Sequence, residues 1–317
     1  SLEETPGKPL SYDQTFTVAL RDFEHLDIPT ATSTVSRNEQ PVFVLDCKDT
    51  RININNLSGQ TAYSIPVLNS GLFEVLPPPV KQQLPLEQLR AKADGDIRFK
   101  GLNAEKSRIT ALGTLSVPVL KFRKRTDEQP PTLDAQLAYN VVLKNMGKIS
   151  FTKLHLTTSE KGNDAPLVNL TVNGSAALPP TAGKSRLLVH ARRIRADPLL
   201  AIANALQPPT DPATEPSEKA PNERADLSAM DLEASLKADR VDYKRLQLTG
   251  IDGSFTIADS VATLHRTDFS VNGAPGYAQG RADLGNDSRK LSGKLSLENL
   301  DLAPVAASFA PDVSGAQ

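Results

Sequence analysis

The sequence predicts a mainly β fold: an elongated, curved antiparallel sheet forming an apolar groove, with a few short helices. Three features carry that expectation. Apolar and polar residues alternate over long runs, helical spacing is confined to two short segments, and one short pattern recurs along the chain.

The alternation is clearest where Val168, Leu170, Val172, Gly174, Ala176 and Leu178 interleave with Asn169, Thr171, Asn173 and Ser175. Successive side chains of a strand point to opposite faces, so this spacing makes one face apolar and the other wet. Ile251, Gly253, Phe255 and Ile257 repeat it against Asp252, Ser254 and Thr256, and Leu291, Gly293, Leu295 and Leu297 repeat it against Ser292, Lys294, Ser296 and Glu298. The C-terminal half therefore reads as antiparallel strands with one apolar face. Upstream, Phe16, Val18 and Leu20 alternate, as do Ile52 and Ile54, so the first part is also β-rich.

The recurring pattern is a strand ending in Lys and usually Ala-Asp, a small gap, and a second strand. It runs from Leu89 to Asp94 with Ile97, Phe99 and Leu102 following. Val141 to Lys144, with Ile149, Phe151, Leu154 and Leu156, repeats it, as does Leu236 to Asp239 with Val241, Tyr243, Leu246 and Leu248. Such recurrence implies a β protein that grows by adding similar strands along one axis. Helical signal follows two of the strand runs. Asp197-Pro198 opens the segment around Leu199, and Asp301 with Pro304 opens the segment around Val305; each has a capping acid and a proline suited to a first turn. The second helix is expected to cover the apolar end near Leu297 with Leu302 and Phe309 inward, because an open sheet must shield its edge.

Proline marks the divisions. Residues 207–226, from Gln207-Pro208-Pro209 through Pro221, are polar, proline-dense and aperiodic, which predicts an extended linker. Smaller breaks fall at Pro77-Pro78-Pro79 and Pro130-Pro131. The expected organisation is a β-rich region at 1–85, a repeat region at 86–206, the linker at 207–226 and a second repeat at 227–317.

The run from Asp231 to Ala310 carries a resemblance. Lys237-Ala238-Asp239-Arg240-Val241-Asp242-Tyr243, Leu246-Gln247-Leu248-Thr249-Gly250-Ile251-Asp252-Gly253 and Leu300-Asp301-Leu302-Ala303-Pro304 resemble the C-terminal repeat region of AsmA-like bacterial envelope proteins. Val172-Asn173-Gly174 and Val271-Asn272-Gly273 precede the closing strands of the two halves, like the small-residue turn of that family. The likeness is clear over the last third, weaker from Leu86 to Leu206, and one of strand texture before that. It implies a periplasmic chain held at the inner membrane by a helix upstream of Ser1. It further implies an apolar β groove similar in architecture to bridge-like lipid-transfer proteins, and a part in moving phospholipid towards the outer membrane. The family has no catalytic residues to carry over.

Composition is compatible with this reading. Trp is absent and aromatics are 5%, so the inward parity is mostly Leu, Val, Ile and Ala. Aliphatic walls suit acyl chains, which need contact and exclusion of water but no directed hydrogen bonds. The net charge of −1 gives no reason to expect nucleic acid, and Cys47 as the lone cysteine rules out an internal disulfide. No apolar run reaches the roughly 18 residues of a membrane span.

Catalytic motifs fail on inspection. Ser150-Phe151-Thr152-Lys153 matches a Ser-x-x-Lys pattern but lacks the partner motif and lies in a strand. Gly183-Lys184-Ser185 lacks the first glycine of a phosphate loop, with Leu178 in its place. His25, His155, His190 and His265 are scattered without ligand spacing, and read as solvated strand histidines. Asp94 with Asp96 and Asp239 with Asp242 read as turn formers between strands. Lys121-Phe122-Arg123-Lys124-Arg125 reads as a solvated strand end rather than a lipid headgroup site, since Asp127 and Glu128 follow at once.

Two functions stay open. One is lipid binding and transport, with no catalytic residue, metal or cofactor. By parity the groove lining is Ile97, Phe99, Phe151, Leu170, Val172, Val241, Tyr243, Leu246, Leu248, Phe255, Ile257, Leu295 and Leu297. The other is a structural or protein-interaction module of the envelope, built from closed β-sandwich repeats. The expected partners are phospholipid, the inner membrane and, on the second reading, envelope proteins. The readings part on whether the apolar parity meets a dry core or an open trough.

Overall fold

The computed structural model describes residues 10–75, 84–102, 106–123, 130–163, 165–178, 183–206, 231–283 and 290–309. The protein is mainly β, with curved, unclosed antiparallel sheet structure and two short helices. Two compact units divide it, Ser1–Ala165 and Pro166–Gln317. No helix among the described residues is long and apolar enough to cross a membrane.

The first unit is a meander. Its strands are β1 (Leu10–Phe16), β2 (Ala19–Arg21), β3 (His25–Arg37), β4 (Gln40–Asn53), β5 (Ser58–Asn69), β6 (Leu86–Lys100), β7 (Arg108–Phe122), β8 (Leu133–Lys144) and β9 (Lys148–Glu160), with a 3-10 turn at Ser70–Val75 after β5. From β3 to β9 each strand pairs antiparallel with the next, while β1 and β2 both pair with β3. In the second unit β10 (Pro166–Ala177) pairs antiparallel with β11 (Lys184–Arg195), which leads into α1 (Ala196–Leu206). The strands β12 (Asp231–Tyr243), β13 (Leu246–Ala258), β14 (Val261–Val271), β15 (Ala274–Asp283) and β16 (Leu291–Leu297) form a second meander, followed by α2 (Leu302–Phe309).

Tight turns set the registers. Asn38-Glu39, Asp259-Ser260 and Asn272-Gly273 are two-residue hairpin loops whose residues all have φ between 49° and 87°. Left-handed pairs of this kind match the right-handed twist of the flanking strands. One pairing departs from the expected antiparallel pattern: β11 and β12 run parallel, Lys184 opposite Asp231 and Ile194 opposite Val241. A parallel neighbour requires a crossover. Here α1 begins it, and the Pro-rich segment expected at 207–226 lies outside the described residues.

The recurring pattern is not one repeated unit. Leu89 through Phe99 is a single strand, β6, and Leu236 through Tyr243 is a single strand, β12. Only Val141–Lys144 and Ile149 divide between two strands joined by a hairpin. The Asp pairs accordingly sit within strands rather than at turns. Asp94 accepts the Ser64 hydroxyl at 2.6 Å, while Asp242 accepts Arg193 and Arg240 at 3.0 and 2.7 Å. Likewise Asn272-Gly273 is a turn, but Asn173-Gly174 lies inside β10.

Both helices start where their acids and prolines predicted, with different contacts. Asp301 caps α2 by accepting the Ala303 N–H at 2.9 Å. Asp197 instead accepts the Lys244 N–H at 2.7 Å, tying the start of α1 to the β12–β13 turn. α2 lies against β13, and Leu302 is exposed, contrary to the expectation that it points inward. The helix buries Ser308, whose hydroxyl donates to the Pro304 carbonyl at 2.8 Å, and the helical repeat turns Leu302 away from that side. The Phe309 side chain lies outside what is described.

Candidate functional site

Residues directly opposite each other in paired strands share a face, so register shows where each side chain belongs. In β10 the alternation of Val168, Leu170 and Val172 is unbroken, and opposite them on β11 stand Ile194, Ala191 and Val189. Ala191 and Ile194 are three apart, which an unbroken strand would put on opposite faces. β11 therefore carries an extra residue at Arg192-Arg193, a β-bulge that resets its phase.

The next two strands reset with it. The β11–β12 register holds through this region, so Ala238 and Val241 stand beside Ala191 and Ile194. The β12–β13 register also holds, which brings Ile251 and Leu248 into the same row. In β13 the inserted residue is Gly250, at φ 61°. β14 has its own extra residue at His265-Arg266, which lets Leu264 oppose Phe255 and Gly280 while Thr267 opposes Ala278.

The outcome in the second unit is one apolar face across seven strands, β10 to β16. Leu170, Val172, Val241, Tyr243, Leu246, Leu248, Phe255, Ile257, Leu295 and Leu297 all lie on it. Counting by twos from Leu248 would have put Phe255 and Ile257 on the other side; the bulge brings them together. The same register adds Val189, Ala234, Phe269 and Ala278, which sequence reasoning missed because small or isolated apolar residues carry little periodic signal. Thr267 is the polar intruder, and its hydroxyl is turned to the His265 carbonyl at 3.0 Å.

The first unit has a face of its own. Ile97 stands beside Ala111, Ala111 beside Val141 and Val141 beside Phe151, while Phe99 stands beside Ile109. Here Thr152-Lys153 is the polar pair that marks the extra residue of β9. The next row toward the strand centres places Tyr63, Gly95, Gly113 and Tyr139 side by side, on the same face as Cys47.

These faces are neither dry cores nor fully open. Each strand packs chiefly on its sheet neighbours, with only short helical segments lying across strands among the described residues. Most of the predicted lining is half-buried, and Leu295 is 65% exposed. Leu167 and the small Ser308 are the largest side chains wholly withdrawn from solvent among the described residues. Shielding of this grade comes from neighbours on the same face of a curved sheet.

The opposite face is ionic. Glu233 meets Lys184 at 3.0 Å and Arg186 at 3.3 Å, and Lys184, followed by Arg186, holds its carboxyl below the usual range. His190 meets Asp239 at 3.0 Å, Lys237 meets Asp252 at 3.1 Å, and Arg266 and Lys294 flank the Tyr277 ring at 4.3 and 5.4 Å. Exposed pairs of this kind contribute little each to stability, because solvent screens them, but they keep the outer face wet. The histidines belong to this polar setting: His25 lies 3.2 Å from Asn53, His155 3.1 Å from Thr157 and His265 3.3 Å from Thr256. Of the basic cluster, Lys121 pairs with Glu87 at 2.6 Å and Arg123 reaches the Leu86 carbonyl; Lys124 and Arg125 lie outside the described residues.

Chemically, the arrangement offers extended aliphatic contact on one side of a sheet and charge on the other. Comparison of the chain with protein-family models, with curated proteins and with solved structures gave no match.

Proposed function

We propose that the apolar faces bind phospholipid acyl chains, and that the chain serves lipid movement between the inner and outer membranes as a periplasmic, AsmA-like protein anchored upstream of Ser1. The observation that carries this reading is the continuity of the second face: its apolar pattern crosses several strand bulges without losing its side. A surface intended only to pack against a small neighbour needs no such extent. Burying each acyl methylene contributes roughly 0.8 kcal/mol, so a few lining contacts give measurable binding.

The test compares faces of one strand. Leu248→Asp or Ile257→Asp puts a charge on the lining and should abolish lipid carriage, measured by native mass spectrometry after extraction from phospholipid vesicles. Thr256→Asp, on the polar face of the same strand, should leave it intact. Photocrosslinkers at Leu248 and Phe255 should label lipid. Labelling of protein alone, with no lipid carried, would replace this reading by the structural one.

A further inference from the structure

The apolar face of the first unit carries a pair of phenol hydroxyls. Tyr63 on β5 stands opposite Gly95 on β6, Gly95 opposite Gly113 on β7, and Gly113 opposite Tyr139 on β8. The two rings reach toward each other over the glycines. A Cβ added at Gly95 would come within 3.0 Å of the Tyr63 hydroxyl, and one added at Gly113 within 2.7 Å of the Tyr139 hydroxyl. Two glycines thus leave the room that two phenols occupy.

Neither hydroxyl has a protein hydrogen-bond partner among the described residues, and neither is sealed from solvent. A phenol can donate one hydrogen bond and accept others, and a donor on an apolar surface is costly to cover unless what covers it brings an acceptor. An all-hydrocarbon ligand brings none. The polar end of an acyl chain does, as a carboxylate or as an ester carbonyl.

We propose that the Tyr63 and Tyr139 hydroxyls are a hydrogen-bonding station that fixes the oxygen end of an acyl chain on the first unit's face. This deepens the acyl-binding reading and rests on it. Partial burial pushes the Tyr139 phenol above its ordinary range, so it keeps its proton and remains a donor at neutral pH and above. The chain beyond the station runs along the row of Ile97, Ala111, Val141 and Phe151 or away from it toward Leu115 and Leu137, both apolar.

The experiment uses the full chain and its Tyr63→Phe/Tyr139→Phe variant, which keeps both rings over the glycines and removes only the hydroxyls. Diphenylhexatriene, a hydrocarbon fluorophore, reports occupancy of apolar surface. Palmitate, methyl palmitate and hexadecane are the competitors. In the variant the apparent affinity for palmitate or methyl palmitate should fall roughly five- to tenfold, the scale of one or two lost hydrogen bonds. Diphenylhexatriene and hexadecane should bind unchanged. A loss confined to palmitate assigns a free fatty carboxylate; a loss shared by methyl palmitate assigns the ester of a glycerolipid. Equal palmitate and methyl palmitate affinity in the two proteins, with the hydrocarbons still bound, overturns the station and leaves the acyl reading standing. Failure of the unmodified protein to bind any of the probes overturns both. Circular dichroism of the double variant and of each single variant checks that the fold is kept; should the double variant unfold, the single variants carry the same comparison.

Discussion

Gly250 offers a perturbation whose sign depends on the bulge. In an uninterrupted strand a glycine is a weak point, about 0.5–1 kcal/mol less favourable than alanine, and replacement by valine should stabilise. Gly250 has φ 61°, where an L side chain costs about 1–2 kcal/mol, and a β-branched residue is at the upper end. No atom lies within 4 Å of a Cβ built there, so packing neither adds to nor offsets that cost. Gly250→Val should therefore destabilise by about 2 kcal/mol, Gly250→Ala by about 1, and Gly250→Asn least, because asparagine tolerates the left-handed region. Urea unfolding followed by far-ultraviolet circular dichroism gives the order; with slopes of about 1–3 kcal/mol/M, valine should lower the midpoint by about 1 M. A valine variant as stable as the parent, or more so, would mean that β13 runs straight through this position. The single apolar face of the second unit would then be lost, since Leu246 and Leu248 would fall on the other side from Phe255 and Ile257.

Other consequences follow from the same geometry. A Cβ at Gly253 would clash with Thr267 Oγ1 and lie 2.6 Å from its Cβ and Cγ2, and Thr267 is buried. Gly253→Ala should cost about 1–3 kcal/mol of overpacking, partly recovered in combination with Thr267→Ala; purely additive losses in denaturant would contradict the contact. Removing the Asp197 carboxylate (Asp197→Ala) should cost about 1 kcal/mol and speed hydrogen exchange at the Lys244 amide, which it now accepts at 2.7 Å. For Glu233 the folded carboxyl titrates below its unfolded counterpart, so its contribution is present above the ordinary carboxylate range and fades as pH falls through the depressed value. Glu233→Gln should flatten the acid limb of the stability profile slightly at low salt, and an identical limb in both proteins would show that the Lys184 and Arg186 contacts do not persist in solution.

Much of this fold was legible because alternation is a local signal. Val168 to Ala176 reads as a strand with a defined greasy side, and the acid-and-proline starts of both helices are equally local. What escaped was phase. A bulge inserts one residue without changing composition, so a face inferred by counting is lost at each insertion, and Leu248 and Phe255 share a face for a reason that counting does not supply. The parallel pairing of β11 with β12 was hidden because strand direction depends on a connection whose 207–226 segment has no pattern. The Tyr63 and Tyr139 pair was hidden more deeply: the residues are far apart in sequence, and only the register of four strands puts two glycines between them.

The bulges nonetheless leave a mark that can be read. At five of them the alternation stumbles over adjacent residues without an apolar side chain: Arg192-Arg193 in β11, Asp239-Arg240 in β12, Thr249-Gly250 in β13, His265-Arg266 in β14 and Thr152-Lys153 in β9. The physical reason is that the extra residue goes to the wet side with its neighbour, where Arg193 and Arg240 share the Asp242 carboxylate. A bulge also bends and twists its strand. Three of them aligned across β11, β12 and β13 bend the sheet along a line, and a sheet that keeps one apolar face must stay apolar on both sides of that bend. Curvature and the switch of apolar parity are therefore one requirement. A strand sequence that changes parity across a polar pair, and does so at matching positions in successive strands, describes a bent sheet with a continuous apolar face.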